Sequence, residues 1–590
     1  MINTVPPGLI FIAGALLIPL LRNRTLKGAY LLLLPIISFV NLLNLPEGTH
    51  FVTGFLGYDL SFARVDRLSL LFGYIFHLIT FITIIYAIHL KDDLQHMAGY
   101  LYAGSALGVV FAGDLFSLFI FWELLTVGSV FLIWSRRTRR SLEAGYRYAL
   151  YHIVGGLILL AGILLYVHGT GSIEFNFIGL QKGNLATYLI FLGFGINCAW
   201  PFIHPWLTDA YPEATITGVV FLSAFTTKTA VYVLARAFPG TGILIWIGAI
   251  MTMFPIFYAV IENDLRRVLA YSLINQVGFM VCGIGIGTEL AVNGAVAHAF
   301  NDILFKGLLF MSVGAVMYRT GKINATDLGG LYKTMPLTCI CCIIGAASIS
   351  AFPLFSGFVS KSMVMSAASH GGMGIIWFML LFASAGVFHH AGIKIPFFAF
   401  FSHDSGMRPK EAPLNMLIAM GIAAFLCIFI GTFPHYSVYP LLPFPVHYEP
   451  YTAPHIMAQT QLLFFSALAF TLLLLSGIYP SEMRAINLDA DWLYRKGSRL
   501  TVSVVTGIAS GIARACEYVF IRRLPRGLAL FSRTPLTTIL SLYNRIESSQ
   551  RCGEQRAKPE LVNVLPAGIP VMIAVIFLYV LAFVFIMTFY

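Results

Sequence analysis

Six ionisable residues stand in stretches otherwise too apolar to hold them. Glu123 lies in LFSLFIFWELLTVGSVFLIW and Lys228 in VVFLSAFTTKTAVYVL. His298, Asp302 and Lys306 share AVAHAFNDILFKGLLFMSVGAV, and Lys361 is the only Asp, Glu, Lys or Arg between Lys333 and Lys394. A charged side chain at the centre of a bilayer costs about 2.5–3.5 kcal/mol on insertion scales, so such residues ordinarily line an ion or proton path. Ionisable groups spread over several apolar stretches are what charge translocation through a membrane requires.

The spacings give each group a role. Glu123 is nine residues after Asp114 and thirteen before Arg136, which is roughly 13 and 20 Å along a helix axis. So deep a carboxylate needs a cation, and Lys228 on another apolar run is the expected partner; such a pair can exchange a proton. A static salt bridge is the bland alternative, weakened because buried pairs contribute little net stability. His298, Asp302 and Lys306 follow an i, i+4, i+8 pattern that aligns imidazole, carboxylate and amine on one helix face, a row suited to a proton wire. Ser272, Asn275 and Gln276 on the preceding helix are placed to carry water between them. Lys361 is the expected last relay before an exit, with His389, His390 and Lys394 as weaker candidates.

These groups need a membrane scaffold. The 590 residues are 58% hydrophobic and 11% charged, which excludes a soluble domain. Apolar runs of about 20 residues recur almost without interruption. We expect an all-α polytopic membrane protein of about 16 helices, beginning near residues 8, 28, 68, 98, 115, 146, 185, 215, 241, 266, 291, 336, 372, 413, 460 and 566. The first run lacks a small-residue cleavage site after it and reads as a span. Arg22 and Arg24, Lys91, Arg136 to Arg140, Arg266 and Arg267, Arg319 to Lys333, and Arg408 with Lys410 fall in alternate connections, which the positive-inside rule places in the cytoplasm. Both termini are then expected outside. The net charge of +11 is a topological signature under this reading and does not call for nucleic acid.

Eight cysteines are scattered, mostly in apolar helices (Cys198, Cys282, Cys339, Cys341, Cys342, Cys427), and none forms a CxxC pair. They read as small packing residues, with no metal site or disulfide framework. No Gly-rich phosphate loop follows a strand, since no strand is expected. His152, His298 and the His389–His390 pair are available to a haem, but their spacing does not demand one. No cofactor is expected.

Three zones follow: residues 1–95 with three helices and a long outside loop, GYDLSFARVDRLSLLF; residues 96–433 with the buried charges; and residues 434–590 with a further span, a basic amphipathic segment and a terminal span. Helix seven looks broken by Pro201, Pro205 and Pro212, and helix twelve by Pro353, Ser356 and Gly357 directly before Lys361. Broken helices are tolerated in membranes where the freed backbone lines a wet cavity. Corresponding breaks five helices apart point to two inverted five-helix repeats, near 98–237 and 241–401. The segment 482–558 carries Arg495, Lys496, Arg499, Arg514, Arg522, Arg523, Arg526 and Arg533 among apolar residues. From Asp489 to about Leu524 it suits a helix on the membrane surface, or a strap between subunits, with Pro525 and Pro535 interrupting it afterwards.

The runs GDLFSLFIFWELL, HPWLTDAYPEAT, LSAFTTKTAVYVLAR, NDLRRVLAYSLINQVGF, HAFNDILFKGLLF and FPLFSGFVSK resemble the core of the antiporter-like subunits, over most of the chain. That family includes proton-pumping subunits of respiratory complex I, the A-type and D-type subunits of Mrp Na+/H+ antiporters, and membrane-bound hydrogenase subunits. The resemblance implies fourteen core helices in two inverted repeats. Through DAYPEAT and TTKTAVY the D-type Mrp branch looks nearest. Position by position, Glu123 resembles the family's glutamate on helix five, Lys228 the lysine on helix eight, Lys306 the central lysine and Lys361 the lysine on helix twelve. Two departures stand out. Asn197 replaces the usual lysine on helix seven, and Asn301-Asp302 alters the central NHALFK motif.

The leading expectation is a proton-translocating or monovalent cation/proton antiporter subunit of a multisubunit inner-membrane complex. It carries protons, with Na+ or K+ as counter-ion candidates, beside other membrane subunits. It is expected not to be an enzyme itself. The competing class is the membrane subunit of a complex I-like NADH:quinone oxidoreductase or hydrogenase. An autonomous small-molecule transporter is weaker, because the polar groups form a line and no convergent pocket.

Overall fold

The computed structural model describes residues 5–477 and 487–533. The chain divides into two compact units, one to Ala490 and one from Asp491.

The first unit opens with α1 (Pro7–Leu17) and α2 (Arg24–Leu43), then a two-stranded antiparallel hairpin, β1 (Gly48–Phe55) and β2 (Tyr58–Val65). The expectation of no strands is thus corrected. Leu56 and Gly57 both have positive φ, so the chain reverses in a two-residue turn between the paired Phe55 and Tyr58. Helices α3 (Arg67–Ala87), α4 (Asp93–Phe111), α5 (Leu115–Trp134) and α6 (Arg139–Thr170) follow. Then come α7 (Leu185–Asn197), the short α8 (Pro205–Ala210), α9 (Gly218–Ala224), α10 (Thr226–Ala237), α11 (Gly242–Ile261), α12 (Leu265–Ile286) and α13 (Glu289–Thr320). The unit continues through α14 (Pro336–Ile349), α15 (Ser356–His370), α16 (Gly374–Val387), α17 (Lys394–Pro396), α18 (Leu414–Thr432) and α19 (Ala453–Leu475). π-helical turns at Phe388–Ile393 and Phe397–Phe401 flank α17.

Local chemistry sets the ends. Side chains of Asn23, Asp66, Asp92, Asp114, Thr138, Asn184, Asp264 and Thr288 accept first-turn amides. Gly171, Gly287 and Gly321 close α6, α12 and α13 in the left-handed conformation. Among the described residues twelve helices are long and apolar enough to cross a membrane. Shorter apolar helices cover Pro7–Leu20, Leu185–Asn197 and Pro336–Ile349, and the span expected near residue 566 lies outside the described residues. α12 and α13 are buried along nearly their whole length. Gly248 and Gly278 let α11 and α12 meet backbone to backbone, where a Cβ on Gly278 would fall 2.7 Å from Thr252 N.

Both anticipated breaks are present, with the same backbone pattern. After α7, Ala199 and Phe202 take φ of 57° and 69°; after α14, Ala351 and Leu354 take 58° and 74°. Trp200 N bonds Gly195 O at 3.3 Å and Ile203 N bonds Trp200 O at 3.1 Å, as Phe352 N bonds Ala347 O at 3.0 Å and Phe355 N bonds Phe352 O at 3.1 Å. Such φ values in residues with a Cβ cost of order 1–3 kcal/mol each, and surrounding structure must impose them. Flanking elements recur too. The bridge Asp114–Glu174 reappears as Asp264–Asn324. α6 and α13 each have 32 residues.

The second unit contains α20 (Asp491–Cys516), a π-helical stretch Glu517–Arg523 and α21 (Leu524–Arg533). Helix therefore runs past Pro525, at the point where the π-helical stretch passes into α21. Pro535 and the rest of the expected amphipathic segment lie outside the described residues.

Candidate functional site

Interruptions in the helices position the site. α9 and α10 are parted at Phe225 (φ −104°, ψ −67°), an interruption the sequence reading missed, and this frees Ser223 O. Lys228 Nζ donates to that carbonyl at 2.8 Å. The break after α14 similarly leaves Ile349 O, which accepts from Lys361 Nζ at 3.0 Å. Each lysine thus satisfies a carbonyl that a continuous helix would have used. Lys361 also lies 5.1 Å from the Phe279 ring centre, and no ion pair to it is found among the described residues.

The expected Glu123–Lys228 pair is not formed. Lys228 Nζ instead lies 2.5 Å from Asp302 Oδ2, with both side chains wholly buried. The kink at Phe225 and the carbonyl bond hold Lys228 against α13. Glu123 is half-buried and sits over Gly156 of α6, so close that a Cβ there would overlap Oε1, which has no hydrogen-bond partner among the described residues. The family departure at Asp302 therefore supplies the carboxylate for Lys228.

The row on α13 exists but is not joined directly. Lys306 Nζ donates to Ser272 Oγ at 2.8 Å. His298 Nε2 meets Gln276 Oε1 at 3.1 Å, and its Nδ1 meets Ser360 Oγ at 3.0 Å. Gln276 Nε2 donates to Asn275 Oδ1 at 2.6 Å, and Asn275 Nδ2 to Thr252 O. α12 thus supplies polar partners to Lys306 and His298, and Ser360, one residue before Lys361, ties α13 to α15. Lys228, Lys306 and Lys361 are all buried, as is Asp302, and among the described residues only Lys228 is paired with that carboxylate.

His152 was weighed in the sequence only as a haem candidate. Its Nδ1 meets Asn197 Oδ1 at 2.8 Å and its ring lies 4.2 Å from Tyr148 and 4.6 Å from Trp206, centre to centre. Tyr148 Oη donates to Ser129 Oγ at 3.0 Å, and Tyr102 Oη stands 2.6 Å from Thr226 Oγ1. Asn197, where the family lysine is expected, thus anchors a histidine. The signal was available: Tyr148, His152 and Gly156 precede His298, Asp302 and Lys306 by 150 residues each.

The proposed exit groups are held otherwise. Lys394 donates to Ala259 O, Val260 O and Glu262 O at 3.3, 2.6 and 2.7 Å, capping the C-terminal end of α11. His389 packs 5.0 Å from the Phe470 ring, and His390 is buried. Among the described residues no group of His, Cys, Asp or Glu is arranged to hold a metal ion.

The family described as NADH:quinone oxidoreductase/Mrp antiporter, transmembrane, matches residues 112–388. That match covers just under half of the chain. The A-type subunit of the Na(+)/H(+) antiporter of Alkalihalophilus pseudofirmus is 30% identical over 492 residues, covering 72% of this chain and 61% of the relative. Hydrogenase-4 component B of Escherichia coli is 26% identical over 370 residues, covering 56% and 55%. The chain therefore spans less than two thirds of the length of these curated relatives. Its fold resembles that of a chain in the structure of the membrane-bound sulfane sulfur reductase, an archaeal respiratory membrane complex (TM-score 0.70, 22% identity, 91% of this chain and 100% of the other). It is a polytopic membrane protein of the antiporter-like type, and the named curated antiporter relative is of the A type, where the sequence pointed to the D type.

Proposed function

We propose that this chain is the proton-conducting, antiporter-like subunit of a multisubunit inner-membrane complex, exchanging protons for a monovalent cation. One observation carries the reading: Lys228–Asp302, Lys306–Ser272 and Gln276–His298–Ser360, with Lys361 next in sequence, lie buried along α12 and α13, with Lys228 and Lys361 contributed from beside helix interruptions. Catalytic centres, where the complex has them, belong to other subunits. The two inverted five-helix repeats draw support from the matching breaks and bridges, and sixteen spans from the helix order plus the run near 566. Assignment to the D-type Mrp branch rests on DAYPEAT and TTKTAVY alone.

A second reading is favoured by the likeness to a chain of a respiratory complex: the same line driven by electron transfer in partner subunits. Proton uptake into vesicles carrying the assembled complex separates the two. An imposed Na+ or K+ gradient drives uptake under the first reading, and an electron donor alone drives it under the second. No uptake under either condition contradicts both, and flavin, haem or iron–sulfur cluster bound to the purified polypeptide contradicts a purely transporting role.

A further inference from the structure

The motif NLDADWLYRK, beyond the matched core, folds its first acid back into the transport unit. Asp489, in the segment 487–490, is 7% exposed at its side chain. Its two carboxylate oxygens each stand 3.1 Å from His204 Nε2. Oδ2 also accepts from Tyr271 Oη of α12 at 2.7 Å, and Oδ1 from Ala490 N at 2.6 Å. Asn487 Nδ2 donates to Glu262 Oε2 at 3.1 Å, which pins the segment on the side of α11. His204 is 3% exposed and ends the break between α7 and α8. Its other nitrogen, Nδ1, is buried without a hydrogen-bond partner among the described residues.

We infer that His204 is the proton-uptake residue on the face that carries Arg266 and Arg267, and that Asp489 is its positioning residue. This rests on the proposed function above. Burial pushes the Asp489 carboxyl up, but the hydrogen bonds from His204 and Tyr271 outweigh it and hold the carboxyl below the ordinary range. An ionised carboxylate only accepts, so Nε2 carries the hydrogen, and Nδ1 is the ring atom left to exchange a proton. A proton binds at and leaves from Nδ1, while the Nε2–H bond to Asp489 is kept throughout. The surrounding charges are already committed. Asp209 of α8 is held by Arg147 Nε at 2.7 Å, and Arg267 of α12 faces Glu262 at 4.0 Å. Asp264 caps α12. The Phe254 ring lies 4.6 Å from His204, and Tyr258 stacks at 5.1 Å on Tyr271.

The test is proton flux across a pH series in vesicles carrying the whole complex, for wild type, Asp489→Asn, Asp489→Glu and His204→Gln. Asp489→Asn keeps the bond from Tyr271 but loses the charge. Its peak flux is expected to fall about tenfold, and its profile to move toward acid by roughly one pH unit. Asp489→Glu keeps most of the flux, and His204→Gln loses nearly all of it at every pH. A wild-type profile in Asp489→Asn overturns the inference. So does equal loss of complex content in Asp489→Asn and Asp489→Glu, which marks a tether only. Absence of flux in the wild-type complex overturns the proposed function as well, whereas wild-type flux with an unmoved Asp489→Asn profile overturns this inference alone.

Discussion

Lys228 on α10 and Asp302 on α13 form a wholly buried ion pair, with Nζ 2.5 Å from Oδ2. Removing one partner of such a pair leaves an uncompensated charge, a loss of about 3–5 kcal/mol, whereas replacing both by apolar residues of similar volume is often neutral. Lys228→Met and Asp302→Leu are therefore each expected to reduce the complex recovered from membranes, and the double variant to recover more than either single one. All three are expected to abolish flux. Quantitative blotting of assembled complex, paired with vesicle flux, checks both parts. Singles as stable as wild type contradict the pair.

Gly156 leaves the space that Glu123 occupies. Gly156→Ala pushes the carboxylate aside while improving helix propensity by up to about 1 kcal/mol. Thermal stability in detergent is expected to hold or rise, and proton flux to fall roughly tenfold. A variant with full flux shows that the position of Glu123 over α6 is unimportant for transport.

Asp66 caps α3 and bonds Arg236 Nη2 at 2.8 Å. Burial raises this carboxyl, but the Arg236 hydrogen bond and charge, with the Ser69 amide, outweigh it and hold it below the ordinary range. Since the folded state binds this proton less readily than the unfolded chain, the stabilisation is present above the unfolded carboxyl range, near pH 4, and is lost as pH falls below it. Melting temperature is thus expected to drop more steeply between roughly pH 5 and 3 in wild type than in Asp66→Asn. Parallel curves contradict this.

Lone charges in apolar runs made Lys228, Asp302, Lys306 and Lys361 legible in the sequence, because hydrocarbon tolerates few of them. Prolines and glycines marked the breaks after α7 and α14. Pairing was not legible. Which carboxylate meets Lys228 depends on the interruption at Phe225, where no proline or glycine signals it, and on how α13 packs. Asn197 read as a missing cation, yet its role is set by His152 across 45 positions of sequence. The hairpin was hidden inside a loop between spans, since its first strand is mostly exposed and shows no buried face. Asp489 was named in the sequence only as the start of a surface helix, and its contact with His204 spans 285 positions.

The central claim, that protons move by titration along the buried line, is tested most directly at Lys361. Its amine bonds Ile349 O and faces Phe279, so it is positioned by a broken helix and an aromatic ring. Arginine keeps the positive charge but does not release its proton in the physiological range. Proton flux in vesicles carrying the complex with Lys361→Arg, at normal complex content, is predicted to fall at least tenfold and nearly to the level of Lys361→Ala. Wild-type flux with arginine at this position contradicts the account.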